Sequence, residues 1–250
     1  MLRKPVFAAN WKMNHGPTDA KAFLRNFLVH YARRADRTVA FFPPALTLHA
    51  VTDALRERSD ILVGVQNVHW EPKGAFTGEL SAPIARDAGA RLVLVGHSER
   101  RHVFGETDEQ TGLKCASVVA AGLTPMLCVG EKLEERDRGD AEAVVVRQLR
   151  AGFASLQPAQ IATALVAYEP VWAIGTGKTA SAKDASAMHT VVRRVLKELA
   201  GERAAHIPVL YGGSVSRGNA AELIAAPEVD GVLVGGASLD ADGWATIVRA

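Results

Sequence analysis

Short apolar runs recur along the chain and alternate with longer, partly polar segments. The runs are rich in Val, Leu, Ile or Phe and are apolar at successive positions, as expected of parallel strands that are buried on both faces. We therefore predict eight strands, at Val6 to Trp11, Thr38 to Phe42, Ile61 to Gln66, Leu92 to Gly96, Thr124 to Val129, Thr163 to Glu169, Pro208 to Gly212 and Gly231 to Gly235.

The segments between the runs have the spacing of amphipathic helices, with apolar residues repeating at i, i+3, i+4 and i+7. Asp184 is a suitable N-cap for the clearest helix, which we expect to start at Ser181 or Asp184, and Thr18 precedes a second helix. Their apolar series are Met188, Val191, Val192, Val195, Leu196 and Leu199, and Leu24, Phe27, Leu28 and Tyr31. Eight strand-and-helix units with no Ser- or Pro-rich linker predict a single α/β domain over residues 1–250, folded as a closed (β/α)8 barrel. A doubly wound open sheet is the alternative.

Polar residues and glycines lie where several of the predicted strands end. They are Asn10 and Lys12 at the first strand, His97 at the fourth, Glu169 at the sixth, Gly212, Gly213 and Ser214 at the seventh, and Gly235 and Gly236 at the eighth. In a closed barrel the carboxyl ends of all strands lie on one rim, where site residues gather. An open sheet would leave the first and sixth strands far apart, so this distribution favours the barrel.

Glu169 stands at the exit of the sixth strand, and Pro170 after it keeps the glutamate in an extended conformation. A carboxylate in this position is suited to act as a catalytic base. The following residues, 171–177, are largely apolar, which is unusual for a solvated loop and indicates a lid. The alternative is a packed loop in which Glu169 forms an ion pair.

Two nucleotide-binding patterns are incomplete in the same segment. Gly177-Lys178-Thr179 ends like a P-loop, but Trp172 occupies the position that requires the first glycine. Residues 175–180 fit the looser dinucleotide pattern, yet several residues separate them from the strand that they should follow directly. The segment therefore favours no nucleotide site.

The glycine pairs after the seventh and eighth strands expose backbone N–H groups, and such groups bind phosphate oxygens. Barrels of this kind hold phosphate in these two loops, whereas a tight turn is the alternative for each pair taken alone. Lys12 is either a snorkelling side chain or a cation for an anionic substrate. His97 is either a packed or capping residue or, with Glu169, part of an acid–base site.

Three neighbours of these residues are predicted to be structural. Ser98 and Glu99 are expected to cap a helix or to pair with Arg100 or Arg101. Cys128 is expected to be a small buried side chain.

Composition narrows the remaining functions. The 250-residue chain is 48% hydrophobic, and 29 Lys and Arg against 27 Asp and Glu give a formal charge of +2. Without a long run of one charge, the chain is not expected to bind nucleic acid or an anionic membrane. No stretch reaches the ~20 apolar residues of a membrane span, and Cys115 and Cys128 lack metal-ligand spacing. We expect a reduced, cytoplasmic protein without a metal.

Six local motifs make the chain recognisable. They are AANWKMN at 8–14, GAFTGE at 74–79, VGHSERR at 95–101, EPVWAIGTGK at 169–178, YGGSV at 211–215 and VGGASL at 234–239. In these motifs, their order and their spacing, the chain resembles the triosephosphate isomerase family along its whole length. The resemblance implies the TIM-barrel fold and the reversible interconversion of dihydroxyacetone phosphate and D-glyceraldehyde 3-phosphate in glycolysis and gluconeogenesis, with no cofactor or metal.

The resemblance also implies roles for residues of this sequence. Glu169 corresponds to the base that moves a proton between neighbouring carbons through an enediolate, and His97 to a neutral electrophile, its pKa lowered by the positive end of the following helix. Asn10 and Lys12 correspond to partners of the substrate and the enediolate. The groups that hold the phosphate correspond to Gly175, Ser214, Gly235 and Gly236.

The connection over residues 66–79 is long and carries Trp70 and Phe76, which argues against disorder. By resemblance to the family, this loop docks into a second copy and places Thr77 near Asn10 and Lys12 of the partner subunit, giving a homodimer. The alternative is a loop that folds back on its own barrel.

Two other functions stay open. One is another phosphate-binding barrel enzyme, such as an aldolase that uses Lys12 as a Schiff-base residue, although an ionised Glu169 beside it argues against the neutral amine. The other is a non-catalytic barrel kept for binding or scaffolding, which would be expected to have lost at least one of Lys12, His97 and Glu169.

Overall fold

A computed structural model describes residues 2–174 and 180–250 of the chain. The eight strands among them are parallel, each pairs with its neighbour in sequence, and the eighth pairs with the first. They are β1 (Val6–Asn10), β2 (Thr38–Phe42), β3 (Ile61–Val65), β4 (Leu92–Val95), β5 (Thr124–Val129), β6 (Leu165–Tyr168), β7 (Val209–Tyr211) and β8 (Gly231–Val234). The predicted closed barrel is confirmed, and the open sheet is wrong.

Helices connect successive strands. In the described residues they are α1 (Pro17–His30), α2 (Leu48–Ala54), α3 (Ala82–Asp87), α4 (Ser98–His102), α5 (Asp108–Ala120), α6 (Leu133–Asp137), α7 (Ala141–Gly152), α8 (Pro158–Ile161), α9 (Ala182–Ala200), α10 (Ala220–Ala225) and α11 (Ala241–Val248). Both predicted helices are present as α1 and α9. The predicted N-cap at Asp184 is wrong, because the N-cap of α9 is Ser181 and Asp184 is the third residue of its capping box. Helix α1 begins at Pro17, whose fixed φ suits a first turn.

Side chains on the strands alternate between two buried layers. On β1, Val6 and Ala8 belong to the cluster inside the barrel, whereas Phe7 packs in the layer between strands and helices. The cluster inside the barrel consists of Val6, Ala8, Ala40, Phe42, Leu92, Leu94, Met126, Cys128, Leu165, Ala167, Leu210 and Leu233. Burial on both faces explains the continuous apolar runs. The same alternation continues inward to Asn10 after Ala8, and to Glu169 after Leu165 and Ala167.

Within residues 2–174 and 180–250, no helix is long and apolar enough to cross a membrane. In the same ranges, no three His, Cys, Asp or Glu side chains are grouped so that they could hold a metal ion.

The connection over residues 66–79 stands out from the barrel. Residues 71–79 are exposed, so this part does not fold back on its own barrel. The His69 ring packs against Trp70 and Phe76, with ring centroids 4.1 and 4.2 Å apart. The loop is therefore held by contacts among its own aromatic residues.

His189, on α9, is fully buried, and its Nδ1 lies 2.9 Å from the carbonyl oxygen of Glu228. Burial opposes a positive charge and lowers the pKa of His189 from 6.5 to about 4. Between these two values the unfolded chain binds a proton that the folded chain does not. The contribution of His189 to stability is therefore present above pH 6.5 and is lost as the pH falls toward 4.

Lowering the pH from about 7 to about 4 should reduce the free energy of unfolding by about 3 kcal/mol through His189 alone. The variant His189→Asn keeps an N–H donor for Glu228 but has no proton to gain, so its stability should depend less on pH. Urea unfolding across this range measures the difference. The exposed His206, changed to Asn, serves as the control that keeps the wild-type slope. Equal slopes for wild type and His189→Asn would contradict the lowered pKa.

Candidate active site

The carboxyl ends of five strands border one cavity of about 250 Å³. Its lining residues are Asn10, Lys12, His97, Glu169, Ile174, Gly212, Gly213, Ser214, Val215, Leu233, Gly235, Gly236 and Ala237. The structure therefore brings together every predicted site residue that it describes. Gly175, Thr176 and Gly177, predicted as phosphate and lid residues, lie outside the described residues.

Glu169 follows β6 and is 2% exposed. Its Oε2 accepts the backbone N–H of Ser98 at 2.9 Å, and its Oε1 lies 3.0 Å from Nε2 of His97. Leaving a buried carboxylate without such partners would cost several kcal/mol, on the order of the penalty for an unpaired buried charge. The turn between β4 and α4 therefore holds the Glu169 carboxylate through donors from His97 and Ser98.

Two glycines leave room for Glu169. A Cβ atom on Gly212 would lie 2.8 Å from Cγ of Glu169. A Cβ atom on Gly130 would lie 1.7 Å from the backbone carbonyl oxygen of Glu169. Both distances are too short for contact, so a larger residue at either position would displace the glutamate. Gly212 therefore has a role beyond the phosphate turn predicted from the sequence.

His97 is the N-cap of α4, and its Nδ1 accepts the backbone N–H of Glu99 at 3.3 Å. A ring nitrogen that accepts a hydrogen bond carries no proton, so the proton of the neutral ring is on Nε2. From there it is donated to Glu169. This geometry favours the neutral imidazole that the sequence predicts.

The pKa values of this buried pair are set by opposing effects. Burial lowers the pKa of His97, but the neighbouring Glu169 carboxylate outweighs it, and the net direction is upward from 6.5. This net direction is opposite to the predicted lowering by the helix end, because the Glu169 carboxylate raises the pKa of His97. For Glu169 burial raises the pKa, but His97, Ser98 and Lys12 outweigh it and leave the pKa below its ordinary 4.5. Glu169 is thus ionised at neutral pH. The hydrogen bond that Nδ1 of His97 accepts from Glu99 places the proton of the neutral ring on Nε2.

Lys12 adopts a strained backbone conformation at the cavity, with φ 51°. Its N–H donates to Oδ1 of Asn10 at 3.0 Å, and its carbonyl oxygen accepts from Nε2 of Gln66 at 2.8 Å. The Nζ atom of Lys12 lies 2.7 Å from Oε1 of Glu99. The backbone of Lys12 is therefore fixed by side chains at the ends of β1 and β3, and its ammonium group lies at the site.

Two residues predicted to be structural belong to the site. Ser98 donates its N–H to Glu169, and Glu99 pairs with Lys12. The arginines predicted as partners of Glu99 pair with other carboxylates. The position of Ser98 directly after the N-cap was the available signal, since the first N–H groups of a helix have no partner within it.

The two glycine turns border the same cavity, as predicted. Ser214 lines it from the loop after β7, and Gly235 and Gly236 line it from the loop after β8. The Ser238 hydroxyl lies 2.7 Å from the carbonyl oxygen of Gly235 and so holds the second turn. With Lys12 beside them, these turns are suited to an anion.

A closed parallel barrel that holds a carboxylate, an imidazole and an ammonium around one cavity is a (β/α)8-barrel site for acid–base chemistry. The family model for triosephosphate isomerase matches residues 5–250. Triosephosphate isomerases of Roseiflexus sp. strain RS-1 and Moorella thermoacetica are 49% and 48% identical to this chain, over 99% of it and 98% and 99% of their own lengths. A crystal structure of triosephosphate isomerase from Bartonella henselae has a TM-score of 0.88 at 35% identity and covers 98% of both chains. The chain belongs to the triosephosphate isomerase family, which confirms the resemblance seen in the motifs.

Removing the Glu169 charge should reverse the pKa shift of His97, because burial then acts without an opposing carboxylate. In Glu169→Gln we expect the pKa of His97 to fall below its wild-type value, as measured by ¹⁵N NMR titration of the imidazoles. The exposed His49 is the internal control, and its ring signals should be the same in both proteins. Equal pKa values of His97 in the two proteins would contradict this effect of the Glu169 charge.

Proposed function

We propose that this chain catalyses the reversible interconversion of dihydroxyacetone phosphate and D-glyceraldehyde 3-phosphate, with no cofactor or metal, as a step of glycolysis and gluconeogenesis. The observation that carries the proposal is the buried Glu169 carboxylate, 3.0 Å from Nε2 of His97 and in one cavity with Lys12. Membership of the triosephosphate isomerase family supports it further.

Glu169 is proposed as the base. Its lowered pKa keeps the carboxylate ionised at neutral pH, which is the form that accepts a proton. It takes the proton from the carbon beside the carbonyl of the substrate and returns it to the neighbouring carbon. In the unliganded site the carboxylate is bonded to Ser98 and His97, so bound substrate has to replace these hydrogen bonds.

His97, Lys12 and Asn10 are proposed to stabilise the enediolate. The Nε2–H of His97 is a donor that polarises the substrate carbonyl when it turns from Glu169 to the substrate oxygen. The Lys12 ammonium lies at the same cavity, where negative charge develops during proton removal. Hydrogen-bond donors that are already in place at such a position need little reorganisation when the transition state forms, which lowers the activation free energy.

Ser214, Gly235 and Gly236 are proposed to hold the substrate phosphate, together with Gly175. A cavity of about 250 Å³ is small enough to favour a triose phosphate over a larger sugar. Residues 170–177 are proposed as a lid that excludes water and so prevents elimination of phosphate from the enediolate. Of the lid, residues 170–174 are described, and Ile174 lines the cavity.

The contacts of Lys12 argue against an aldolase. A Schiff base requires a free amine, whereas Lys12 is the donor of a 2.7 Å ion pair with Glu99. A non-catalytic barrel is disfavoured because Lys12, His97 and Glu169 are all retained and border one cavity.

Replacing the base tests the activity. In an isomerase assay coupled to a dehydrogenase, Glu169→Gln should lower kcat by at least ~10²–10⁴-fold while the fold is retained, because the amide keeps the shape and cannot accept the proton. Glu169→Asp should retain part of the activity, since its carboxylate is withdrawn by about one methylene group. The control Glu222→Gln changes an exposed carboxylate on α10 and should behave as wild type. Near-normal turnover of Glu169→Gln would refute its role.

We also propose that the chain forms one catalytic domain over residues 1–250 and works in the cytoplasm as a homodimer. Support for the homodimer comes from a second cavity of about 280 Å³ beside the first, which Asn10, Lys12 and His97 also border. Met13 and Phe104 line it and are 94% and 66% exposed, and adjoining exposed apolar side chains are typical of an interface.

The exposed loop over residues 66–79 is proposed to fill this second cavity in the partner subunit. Thr77, near its tip, would then lie close to Asn10 and Lys12 of the partner subunit. The symmetric exchange of two such loops gives a closed dimer.

The dimer should be sensitive to charge at the loop tip. Light scattering on the wild type at micromolar concentration should give a molecular mass of twice the 26.6 kDa of one chain. Thr77→Arg should weaken the dimer and lower the activity together. The substitution brings a cation toward Lys12 of the partner subunit and Arg100 of the partner subunit, and like charges repel. The control Val29→Arg alters a side chain that is exposed on α1 and should remain dimeric. A fully active wild-type monomer would refute the dimer, and an active tetramer would reveal a further interface.

A further inference from the structure

Arg136, on α6, contacts residues on both sides of the segment 175–179. Its guanidinium carbon lies 4.6 Å from the centroid of the Trp172 ring, and Nη2 lies 3.0 Å from Oδ1 of Asp184. Trp172 precedes that segment, and Asp184 follows it in the first turn of α9. A single side chain therefore links the two flanks.

On the first flank, Arg136 completes a buried polar cluster around Glu131. Glu131 is fully buried, and its Oε1 accepts the indole Nε1–H of Trp172 at 2.8 Å. Nη1 of Arg136 lies 3.6 Å from the same oxygen. Arg136 therefore compensates the buried charge that fixes Trp172 and also covers the face of its ring.

On the second flank, Arg136 is bonded to the start of α9. Asp184 accepts the N–H of Ser181 at 3.1 Å and, through its other carboxylate oxygen, the guanidinium of Arg136. The capping box that begins α9 is thereby tied to α6. A displacement of α9 at this end would break the ion pair.

These contacts reach the active site indirectly. Trp172 lies in a short 3₁₀ turn over Val171–Ala173, and the next residue, Ile174, lines the catalytic cavity. Arg136 itself is not among the lining residues of that cavity. Any effect that it has on the substrate is therefore indirect, through the residues of the two flanks that it contacts.

We propose that Arg136 is a positioning residue that fixes both flanks of the segment 175–179 and thereby the placement of Ile174 against the substrate. The inference rests on the proposed isomerase function for its link to substrate binding. A planar guanidinium can cover an aromatic face while its edge binds two carboxylates, whereas a lysine ammonium is a point charge without that shape.

The test compares Arg136→Met and Arg136→Lys with Arg138→Met. Arg138 is the neighbouring exposed arginine and pairs with Asp140 at 2.9 Å, so it controls for loss of charge at this end of α6. The first readout is the indole N–H resonance of Trp172, assigned with Trp172→Phe. The second is the separate change in KM and kcat of the isomerase reaction.

We expect Arg136→Met to move the Trp172 resonance and to raise KM roughly threefold to tenfold with kcat within about twofold, because the flanks must then be ordered when substrate binds. Arg136→Lys keeps a charge for Glu131 and should recover thermal stability, but it should retain the raised KM. Arg138→Met should match wild type in both readouts. If Arg136→Met does not fold, Arg136→Lys decides the same question.

Two results would overturn the inference. One is a Trp172 resonance unchanged in a folded Arg136 variant, and the other is a KM equal to that of Arg138→Met. A wild-type chain without isomerase activity would refute the proposed function instead, and the Trp172 resonance would still decide whether Arg136 fixes the flank.

Discussion

The site depends on one constraint, which is a charged carboxylate kept almost out of water at the end of β6. Glu169 is 2% exposed, and its charge is compatible with that burial because His97 and Ser98 supply donors at 3.0 and 2.9 Å. Both donors come from the turn after β4. In the barrel only β5 separates β4 from β6, and Gly130 after β5 leaves room for the backbone carbonyl of Glu169, whose oxygen would lie 1.7 Å from a Cβ atom at that position. The proximity of these strand ends is therefore what allows the Glu169 carboxylate to be buried and ionised together.

The turn over residues 97–99 also balances the second charge of the site. Glu99 pairs with the Lys12 ammonium at 2.7 Å, while its own N–H holds Nδ1 of His97. Glu169 and Lys12 thus each have a partner among adjacent residues of one turn. In the proposed function, an anionic substrate would compete with Glu99 for Lys12 and with Glu169 for His97, so its binding would exchange existing contacts without exposing either charge to a less polar surrounding.

The fold could be predicted from the sequence because both faces of every strand are buried, which leaves a continuous apolar signal. Asn10 and Glu169 could be placed at the rim because they interrupt that signal at strand ends. The contacts of Ser98 and Glu99 could not, since they join β4 to β6 and β1, and no spacing along the chain encodes that distance. The predicted strands also ran slightly too far at the carboxyl ends of six of the eight strands, where mostly glycines and polar residues turn out of the sheet.

The strained backbone at Lys12 shows how the loops at the carboxyl ends of the strands are held in place. A non-glycine residue with φ 51° costs about 1–3 kcal/mol and persists only where neighbouring groups fix it. Gln66, after β3, provides this by donating to the carbonyl oxygens of Lys12 and Phe42, both at 2.8 Å. One amide thus binds the loop after β1 and the end of β2 together. The precision of the site therefore comes from side chains that join adjacent strand ends, because loops alone have too few contacts to hold a strained residue at a fixed position.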